Sequence, residues 1–516
     1  MRASLAIMAL AGCVHAATPG RFADRPIVTA SDDARPIPEP RVRRYFSRGD
    51  LADVLVVRPI WEVFDPRSRV AARDVNAIDE VPDSTWFTNR LGLRDMSPEE
   101  IVRGPDVTGP PVPPFTITKP KRGGDNPGFI AADARGIEYL VKFDTAANPG
   151  QQTATDAIVG RILWAAGYNT PTEFVVHVRR DQLELAPKLR AAGQFTDAKL
   201  DAMLEVATHR ADGTIRASVS QILDGIPKNG WSLSGRRGDD PNDRVRHEHR
   251  RVLRGLRVIA AWLNHTDMKE DNSIDMYVGK PGEGHLVHYL VDFGEALGGH
   301  QDENQQPQIG FEYAWDFTAQ FKAMFAFGLW HRPWEAQRPS RWKQVGMFNA
   351  VNFDPRRWRE RFPYTPFKMA DRADLYWGAK LVMRFDRAKL EAVVKTGELG
   401  DAEAERYVVE TLLARREAIG RAFLDRVTPL DDITLIGDRM CGVDLARRHG
   451  IARDGELLLD LTTQPIAADG QVCVTVPISP GYHLVTARIR RHDHTTPGLE
   501  IHYVGGPGSH LLGLVR

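Results

Sequence analysis

A chain of 516 residues is long enough to hold roughly two or three domains and to bury a large hydrophobic core. Its 68 basic residues (Lys and Arg) balance its 68 acidic residues, and this balance argues against a protein dedicated to binding nucleic acid. No run of about 18 apolar residues follows the first dozen positions, so no internal membrane-spanning helix is predicted.

The first residues have the order of an export signal. A cationic start is followed by a short apolar run over residues 5–13. The sequence Leu-Ala-Gly-Cys at 10–13 resembles a bacterial lipobox, which predicts a signal over 1–16, a lipid on Cys13 and a membrane-anchored position in the cell envelope, facing the periplasm or the exterior. Residues 14–16 offer a rival cleavage site of the small-residue type, and a wrongly assigned start codon is the alternative to both.

Residues 17–114 are predicted to form a tether and an N-terminal extension. Up to about residue 45 the sequence is rich in Pro, Arg and Asp and shows no periodicity, as a tether does. Asn76–Asn89 is dense in aromatic residues and turn formers, and we expect it to pack on the outside of the next domain. The proline-rich stretch 109–114 predicts a stiff linker and the first domain boundary.

Residues 115–143 have the pattern of three β-strands. These strands are predicted over 115–119, 129–132 and 137–143. The loop after the first strand includes Gly123 and Gly124, and small residues there let backbone N–H groups approach a phosphate closely. Lys142 lies near the end of the third strand. The alternatives are an ordinary hairpin loop and a solvated lysine at a strand end.

A helix is predicted over Thr153–Gly167, and Asp156 is its only acidic residue. This carboxylate is either a partner for Lys142 or a charge that favours the start of a helix. Strands are predicted over 174–179 and 217–223, with a charged helical insert over 181–209 between them. The Asp-Gly pair that ends the second strand predicts a hinge near 221–226.

The strongest functional signal lies between Leu263 and Gly298. It consists of the pattern His265-x-Asp267-x-Lys269-x-x-Asn272, followed by Asp292-Phe293-Gly294. Two partner strands are predicted between these motifs, one beginning at Asp275 and one ending at Asp292, so both motifs flank a hairpin.

Phosphoryl transfer explains why these residue types occur together. A carboxylate must accept the proton of the attacking hydroxyl, and cations must stabilise the charge on the transferring group. Asp267 is the candidate base, and Lys269 is placed to neutralise that charge. Asn272 and Asp292 offer the oxygen ligands that Mg²⁺ prefers.

These motifs resemble the catalytic loop and metal-binding turn of protein kinases. Over about residues 115–430 the chain resembles atypical bacterial kinases of the HipA-like, CotH-like and phosphoinositide-kinase-like kinds. The resemblance implies ATP and Mg²⁺ as cofactors. The residues it assigns to the nucleotide are Lys142, Asp156, Gly123 and Gly124, and those it assigns to the metal are Asn272 and Asp292. It also implies an α+β, two-lobed protein-kinase-like fold, with an N-lobe over 115–225 and a helical C-lobe over 226–431.

Helices are predicted over 247–263, 311–327 and 367–427, and the pattern then becomes β-rich. The change predicts a small C-terminal all-β sandwich domain over 432–516. Cys441 and Cys473 lie in that domain. They form either a disulfide, as an oxidising compartment allows, or two buried free thiols.

Three functions remain open on the sequence. The first is an exported phosphotransferase that moves a phosphoryl group from ATP to an unknown hydroxyl acceptor, although an exported protein faces a compartment poor in ATP. The second is a catalytically degenerate kinase-like binding module. The third is a metal-dependent hydrolase with His265, Asp267 and Asp292 as ligands. A separate hypothesis is a structural zinc ion held by His247, His249 and His265. The spacing of His247 and His249 argues against it, because residues i and i+2 do not share a helix face.

Overall fold

The computed structural model of the protein describes residues 20–44, 70–121, 126–299, 306–326 and 329–516. The predicted lipid site at Cys13 and the predicted phosphate-loop residues Gly123 and Gly124 lie outside the described residues. No helix in these described parts is both long and apolar enough to cross a bilayer.

The first half of the chain forms a mixed sheet with helices on it. Its elements in chain order are α1 (Pro98–Arg103), β1 (Phe115–Pro120), β2 (Gly128–Ala132), β3 (Glu138–Phe143), α2 (Gln151–Ala166), β4 (Glu173–Val178), β5 (Leu183–Leu185), α3 (Pro187–Ala192), α4 (Asp197–Glu205) and β6 (Ile215–Gln221). The sheet has the strand order β4-β6-β3-β2-β1-β5. All neighbouring strands are antiparallel except β1 and β5. The three strands predicted over 115–143 are therefore confirmed.

Helix α2 begins where a distant carboxylate caps it. Its N-cap residue, Gly150, has no side chain to offer. Asp144, at the end of β3, instead accepts hydrogen bonds from the backbone N–H groups of Gln152 (3.0 Å) and Thr153 (3.1 Å). A carboxylate that satisfies these otherwise unpaired N–H groups stabilises a helix start. The end of β3 and the start of α2 are thus joined directly.

Helix α2 ends at Gly167, as predicted, for a packing reason. Gly167 has a φ of 124°, and a Cβ atom added there would lie 2.1 Å from the ring of Phe87. Only glycine tolerates both the backbone conformation and this approach. The glycine therefore lets the segment before the sheet pack tightly against α2.

The middle of the chain contains a hairpin and a helical body. Its elements in chain order are β7 (Ile226–Pro227), α5 (Arg251–Leu263), β8 (Ser273–Val278), β9 (His285–Leu290), α6 (Phe317–Phe325), α7 (Thr365–Met369), α8 (Arg372–Met383), α9 (Arg387–Lys395) and α10 (Ala402–Phe423). Strands β7, β8 and β9 form a separate antiparallel sheet.

Helix α5 is buried on every side, including its basic residues. Arg251 and Arg254 both bind the carboxylate of Asp374 on α8, at 3.1 and 3.2 Å. Arg257 donates to three backbone carbonyls between residues 355 and 358. Buried cations must be paired and hydrogen-bonded, and this row of arginines attaches α5 firmly to the surrounding helices.

Some predicted boundaries and environments are wrong. The helix predicted over 247–263 begins at Arg251, after a short 3-10 turn at His247–His249. The helix predicted over 311–327 spans only Phe317–Phe325, and turns precede it. The insert over 181–209 contains the short strand β5 besides two helices.

The aromatic stretch Asn76–Asn89 does not lie on the outside. Trp86 and Phe87 are buried in the main hydrophobic core, together with side chains of α2 and α5. The Trp86 ring stacks on the imidazole of His288, with ring centroids 3.6 Å apart. The sequence shows no helix or strand periodicity here, so a core contribution from an irregular segment was not visible in it.

Part of the predicted tether lies against the hairpin. The backbone N–H of Ile37 donates to the carbonyl of Gly284 (2.8 Å), and Glu39 pairs with Lys228. Arg43 pairs with Glu270 at 2.6 Å. Residues 37–43 therefore follow the surface of the hairpin up to the loop that carries the predicted catalytic residues.

The last part of the chain consists of two sheets. Its elements are β10 (Leu430–Ile436), β11 (Arg439–Asp444), α11 (Leu445–Arg448), β12 (Glu456–Leu459), β13 (Thr462–Pro465), β14 (Gln471–Thr475), β15 (Gly481–Arg490), β16 (Leu499–Gly505) and β17 (His510–Val515). The sheets have the strand orders β10-β11-β14 and β13-β12-β15-β16-β17, and they share one hydrophobic core. Cys441 and Cys473 are direct neighbours on β11 and β14 and form a disulfide.

Candidate active site

The loop with the predicted catalytic residues begins where α5 ends. Asn264 adopts the left-handed conformation (φ 49°), and its N–H bonds back to the last turn of the helix. Asparagine is one of the few residues that ends a helix in this way without glycine. The next residue, His265, donates its N–H to the carbonyl of Ala260 (2.8 Å), which fixes the direction in which the loop leaves α5.

Asp267 is held by two of the predicted residues. Lys269 Nζ lies 2.8 Å from Asp267 Oδ2, and Asn272 Nδ2 donates to the same oxygen at 2.9 Å. Asn272 Nδ2 also donates to the backbone carbonyl of Asp267 at 2.7 Å. The other oxygen, Oδ1, accepts no hydrogen bond from the described residues, and Asp267 is buried. The loop therefore fixes the carboxylate while one oxygen stays available.

The hairpin brings Asn272 next to the turn that carries Asp292. Strands β8 and β9 pair from Ser273 with Leu290 to Val278 with His285. The pairing continues one step further, because the N–H of Val291 donates to the carbonyl of Asn272 (3.1 Å). The two residues predicted to hold metal thus lie at the same end of one hairpin. Asp292 itself has a φ of 62°, a region that aspartate and asparagine enter more easily than most residues.

Lys142, Asp156 and Asp292 meet although they are far apart in sequence. Lys142 Nζ lies 2.7 Å from Asp156 Oδ2 and 3.2 Å from Asp292 Oδ1. The side chains of Lys142 and Asp156 are 9% and 1% exposed, whereas that of Asp292 is 60% exposed. The lysine is therefore buried between a buried carboxylate and one that faces solvent. Of the two roles open for Asp156, the structure shows the contact with Lys142.

Asp156 connects three elements around this lysine. Besides Lys142 on β3, it accepts a hydrogen bond from Ser218 Oγ on β6 at 3.1 Å. Its Oδ1 accepts from the backbone N–H of Phe293 at 3.1 Å, which ties α2 to the turn after Asp292. The short Asp side chain reaches all three because α2 lies close to the sheet. The N–H of Phe293 also fixes the backbone on which Asp292 is presented.

Electrostatics keep these groups charged. Burial by itself lowers the pKa of Lys142, but the Asp156 and Asp292 carboxylates outweigh it and raise that pKa overall. The Lys142 charge lowers the pKa of Asp292. Burial also lowers the pKa of Lys269, and the neighbouring Asp267 raises it by more. At neutral pH the ammonium groups of Lys142 and Lys269 and the ionised carboxylate of Asp292 therefore lie between the sheet and the hairpin.

Two residues of the lysine cluster were not predicted from the sequence. Glu173, at the start of β4, accepts a hydrogen bond from Ser220 Oγ at 2.6 Å and is buried near Lys142. Burial, together with the nearby Asp156, raises the pKa of Glu173 to about 8. Ser218 lies directly opposite Lys142 across the β3–β6 pair. For Ser218 the available signal was a polar residue inside a buried strand, but the strand pattern does not show that it faces the lysine.

Glu295 is a further unpredicted residue of the catalytic loop region. Its Oε2 lies 3.2 Å from Arg361 Nη1. Burial, together with the charge of nearby Asp267, raises the pKa of Glu295 to about 7. The backbone N–H of Arg361 donates to the carbonyl of Thr266 at 2.8 Å, so the segment before α7 braces the loop. In the sequence, the only indication of a role for Glu295 was its position directly after Asp292-Phe293-Gly294.

The histidines do not form the hypothesised zinc site. No cluster of three His, Cys, Asp or Glu side chains suited to a metal ion occurs among the described residues. His247 instead binds Asp243 Oδ2 at 2.8 Å. His265 is buried, burial lowers its pKa to about 4, and its Nδ1 has no hydrogen-bond partner in the described part of the chain. A neutral imidazole packed against the Phe293 ring accounts for its position.

The residue types at the end of the hairpin fit a magnesium ion bound together with phosphate. Asp292 offers an exposed carboxylate, and Asn272 offers an amide oxygen, since only its Nδ2 takes part in the bonds to Asp267. Mg²⁺ usually takes one or two side-chain oxygens and completes its coordination with substrate phosphates and water. A set of two oxygen donors is therefore sufficient when a nucleotide supplies the rest.

An open cavity of about 880 Å³ lies beside the catalytic loop, at the end of α5. It is lined by Asn264 and by aromatic and basic side chains, among them Tyr313, Trp330, Trp358 and Arg359. Trp358 Nε1 donates to Asn264 Oδ1 at 3.0 Å, so the cavity wall is attached to the residue that starts the loop. The cavity provides room for a second molecule at the start of the catalytic loop.

Comparisons with known proteins add little to this geometry. No family model matches the chain, and no curated protein matches it. Two crystal structures of the Golgi casein kinase are similar to it in part, each at 11% sequence identity. One covers 76% of this chain and 97% of its own at a TM-score of 0.27. The other, with Mn/ADP bound, covers 74% and 95% at 0.26. TM-scores this low do not establish a common fold.

Proposed function

We propose that the protein is a phosphotransferase of the atypical kinase kind, which moves the γ-phosphoryl group of ATP to a hydroxyl acceptor in the presence of Mg²⁺. The observation that carries the proposal is the meeting of Lys142 with Asp292, 150 positions later in the chain, in one cleft. The cleft lies between a sheet and a hairpin whose loop holds Asp267, Lys269 and Asn272. Residues without a shared function would not be expected to lie together in this way.

On this proposal the two parts of the chain are two lobes. The six-stranded sheet and α2 form an N-lobe over 115–225, and the hairpin and helices form a C-lobe over 226–431. A hinge near 221–226, between β6 and β7, joins them, and the loop with Gly123 and Gly124 covers the nucleotide phosphates. The two last sheets form a sandwich domain over 432–516.

Lys142 binds nucleotide phosphate in this scheme, and Asp156 positions it. The ammonium group is already oriented by Asp156 at 2.7 Å, so its position does not depend on the nucleotide. Its second partner, the exposed Asp292, is the one that can turn toward a metal ion when the nucleotide enters. Bound Mg²⁺ would be held by Asn272 and Asp292, and it supplies positive charge to the phosphates.

Asp267 acts as the base toward the acceptor hydroxyl. Its Oδ2 is occupied by Lys269 and Asn272, whereas Oδ1 is free of hydrogen bonds from the described residues. A fixed carboxylate with one open oxygen suits the removal of a proton from a bound hydroxyl. Lys269 is 38% exposed, so its ammonium group can interact both with Asp267 and with the phosphoryl group that is transferred. The acceptor enters through the cavity beside Asn264.

The two alternative functions explain less of the geometry. A hydrolase with His265, Asp267 and Asp292 as metal ligands gives no reason for a lysine on each carboxylate, at 2.8 and 3.2 Å. A degenerate binding module gives no reason to retain the base and both metal ligands together. Export to the cell envelope and a lipid on Cys13 belong to the proposal too, and they rest on the first residues of the sequence.

The proposal is tested by ADP formation from ATP. The purified protein should release ADP with Mg²⁺ or Mn²⁺, by transfer to itself or slowly to water. Asp267→Asn should lower the rate by about 100-fold or more, the effect typical of losing a general base. Asp181→Asn, at a side chain 68% exposed and remote from the site, should leave the rate unchanged. No ADP release with either metal, from a folded protein that binds ATP, would instead favour the binding module.

A further inference from the structure

The largest apolar side chains on the described surface lie in one place. The exposed Phe, Trp and Met side chains of the described residues all lie between positions 315 and 325. They are Trp315, Phe321, Met324 and Phe325, and Leu329 just beyond them is 87% exposed. Soluble surfaces rarely concentrate large apolar groups in this way without a binding role. We call these five side chains the aromatic surface.

The aromatic surface has the form of a short amphipathic helix. The residue before helix α6, Asp316, caps the helix, because its carboxylate accepts a hydrogen bond from the N–H of Ala319 (2.9 Å). Phe321 and Phe325, four residues apart, point the same way, and their rings are parallel with centroids 6.5 Å apart. This helix has nine residues, and its exposed apolar face is available to a binding partner.

The segment that carries the aromatic surface has more basic than acidic residues. Residues 315–343 contain five Lys or Arg and two Asp or Glu, in a chain whose total charge is balanced. Two of these arginines have acidic partners, Arg332 with Glu312 and Arg341 with Glu403. Lys322, Arg338 and Lys343 have no acidic partner within salt-bridge distance among the described residues.

The arrangement of these cations favours a lipid surface over a protein partner. Lys322 Nζ lies 4.1 Å from the centre of the Trp330 ring, and Arg332 lies over the same ring. Basic residues beside an exposed face of Trp, Phe and Leu are typical of helices that lie in a bilayer interface, where the rings enter the headgroup region and the cations meet anionic lipids. We therefore propose that the aromatic surface docks on an anionic lipid bilayer.

The position of this surface connects it with the proposed reaction, and this step rests on the proposed function. Ala314, next to Trp315, donates its N–H to the carbonyl of Arg361, and Arg361 donates its own to the carbonyl of Thr266, both at 2.8 Å. The docked bilayer would therefore lie close to the catalytic loop on its acceptor side. A hydroxyl group on a lipid of that bilayer would then lie near the loop that carries Asp267.

Vesicle binding tests the docking and is independent of catalysis. The full chain with Cys13→Ser, which cannot carry the predicted lipid, is mixed with vesicles of zwitterionic lipid or of the same lipid with an anionic phosphoglycerol lipid. We expect co-sedimentation with the anionic vesicles, and a loss of about tenfold or more in partitioning for Phe321→Ser with Phe325→Ser. Lys322→Glu should weaken binding to the anionic vesicles in particular.

A matched control uses apolar residues that are exposed elsewhere. Val107→Ser with Leu461→Ser changes side chains 92% and 102% exposed and should leave vesicle binding unchanged. Circular dichroism should show each variant to be folded. Absence of binding to anionic vesicles, or binding that the double Phe substitution does not change, would overturn the proposal. A dimer in light scattering that the same substitution dissolves, without vesicle binding, would assign the surface to self-association instead.

Discussion

The buried pair of Lys142 and Asp156 gives the sharpest test of how the site is built. Lys142→Met keeps most of the length of the side chain and removes its charge, and Asp156→Asn keeps the shape and removes the opposite charge. In the parent protein Lys142 Nζ lies 2.7 Å from Asp156 Oδ2, and the two side chains are 9% and 1% exposed. Breaking a buried pair by removing one partner costs about 3–5 kcal/mol, because the other charge stays buried without compensation.

The cost of each single substitution is reduced in a different way. After Asp156→Asn, Lys142 keeps Asp292 at 3.2 Å, so the loss should lie near the lower limit of this range. After Lys142→Met, Asp156 keeps its bonds from Ser218 and Phe293 but has lost its cation. Since burial raises the pKa of Asp156, proton uptake then limits the cost. We expect each substitution to cost about 3 kcal/mol, and the double variant to cost about 1–3 kcal/mol less than the sum.

Hydrogen exchange measured by mass spectrometry suits this test, because it reports local stability in a chain too large for simple two-state unfolding. Peptides from β3 and α2 should exchange about 100-fold faster in each single variant, since every 1.4 kcal/mol is tenfold. A control cycle on Arg387 and Glu410, both 52% exposed, should show a coupling below about 1 kcal/mol. Coupling below about 0.5 kcal/mol for Lys142 and Asp156 would refute the pairing.

Three further predictions concern buried charges and the disulfide. Asp374→Asn should destabilise the helical body by about 3–5 kcal/mol, because Arg251 and Arg254 would lose their shared buried carboxylate. Urea unfolding compared with Asp181→Asn measures this, and equal stability would contradict the role given to the arginine row. Reduction of the Cys441–Cys473 disulfide, which closes a separation of 32 residues, should destabilise the two last sheets by about 2–4 kcal/mol. Hydrogen exchange of peptides from β11 and β14, with and without reductant, measures this loss of stability. Unchanged hydrogen exchange would contradict the prediction. Glu173→Gln should change the pH dependence of melting. Glu173 has a folded pKa of about 8, above its ordinary value of 4.5, so its favourable contribution is complete below pH 4.5 and is lost as pH rises toward 8. The melting temperature of the variant should therefore rise relative to that of the parent between pH 5 and pH 8.5. If the two curves of melting temperature against pH are parallel, the raised pKa of Glu173 is contradicted.

The site residues that the sequence could indicate were those with fixed spacing. The order of His265, Asp267, Lys269 and Asn272 before Asp292 constrains the loop and the hairpin together, and both strands of the hairpin are confirmed. Asp156 was identifiable because it is the only acidic residue of its helix. Its contact with Lys142 required coordinates, since the distance between α2 and the sheet depends on packing that no local pattern expresses.

Other features had no local signal at all. Arg251, Arg254 and Arg257 have the spacing of one helix face, which in a sequence suggests exposure to water. They are buried because Asp374 and several carbonyls, distant along the chain, satisfy them. Trp86 and Phe87 enter the core from a segment without periodicity, so tertiary contacts alone decide their burial. In both cases the determining partners lie far away in sequence.

The most direct test of the proposed site is a calorimetric titration of the purified protein with ATP, with and without Mg²⁺. We predict that ATP binds with Mg²⁺, and that Lys142→Met and Asp292→Asn each abolish binding while both proteins remain folded. The exposed-site variant Asp181→Asn should bind as the parent does. If ATP does not bind in the presence of Mg²⁺, or if it binds equally well to Asp292→Asn, the cleft between the sheet and the hairpin is not a nucleotide site.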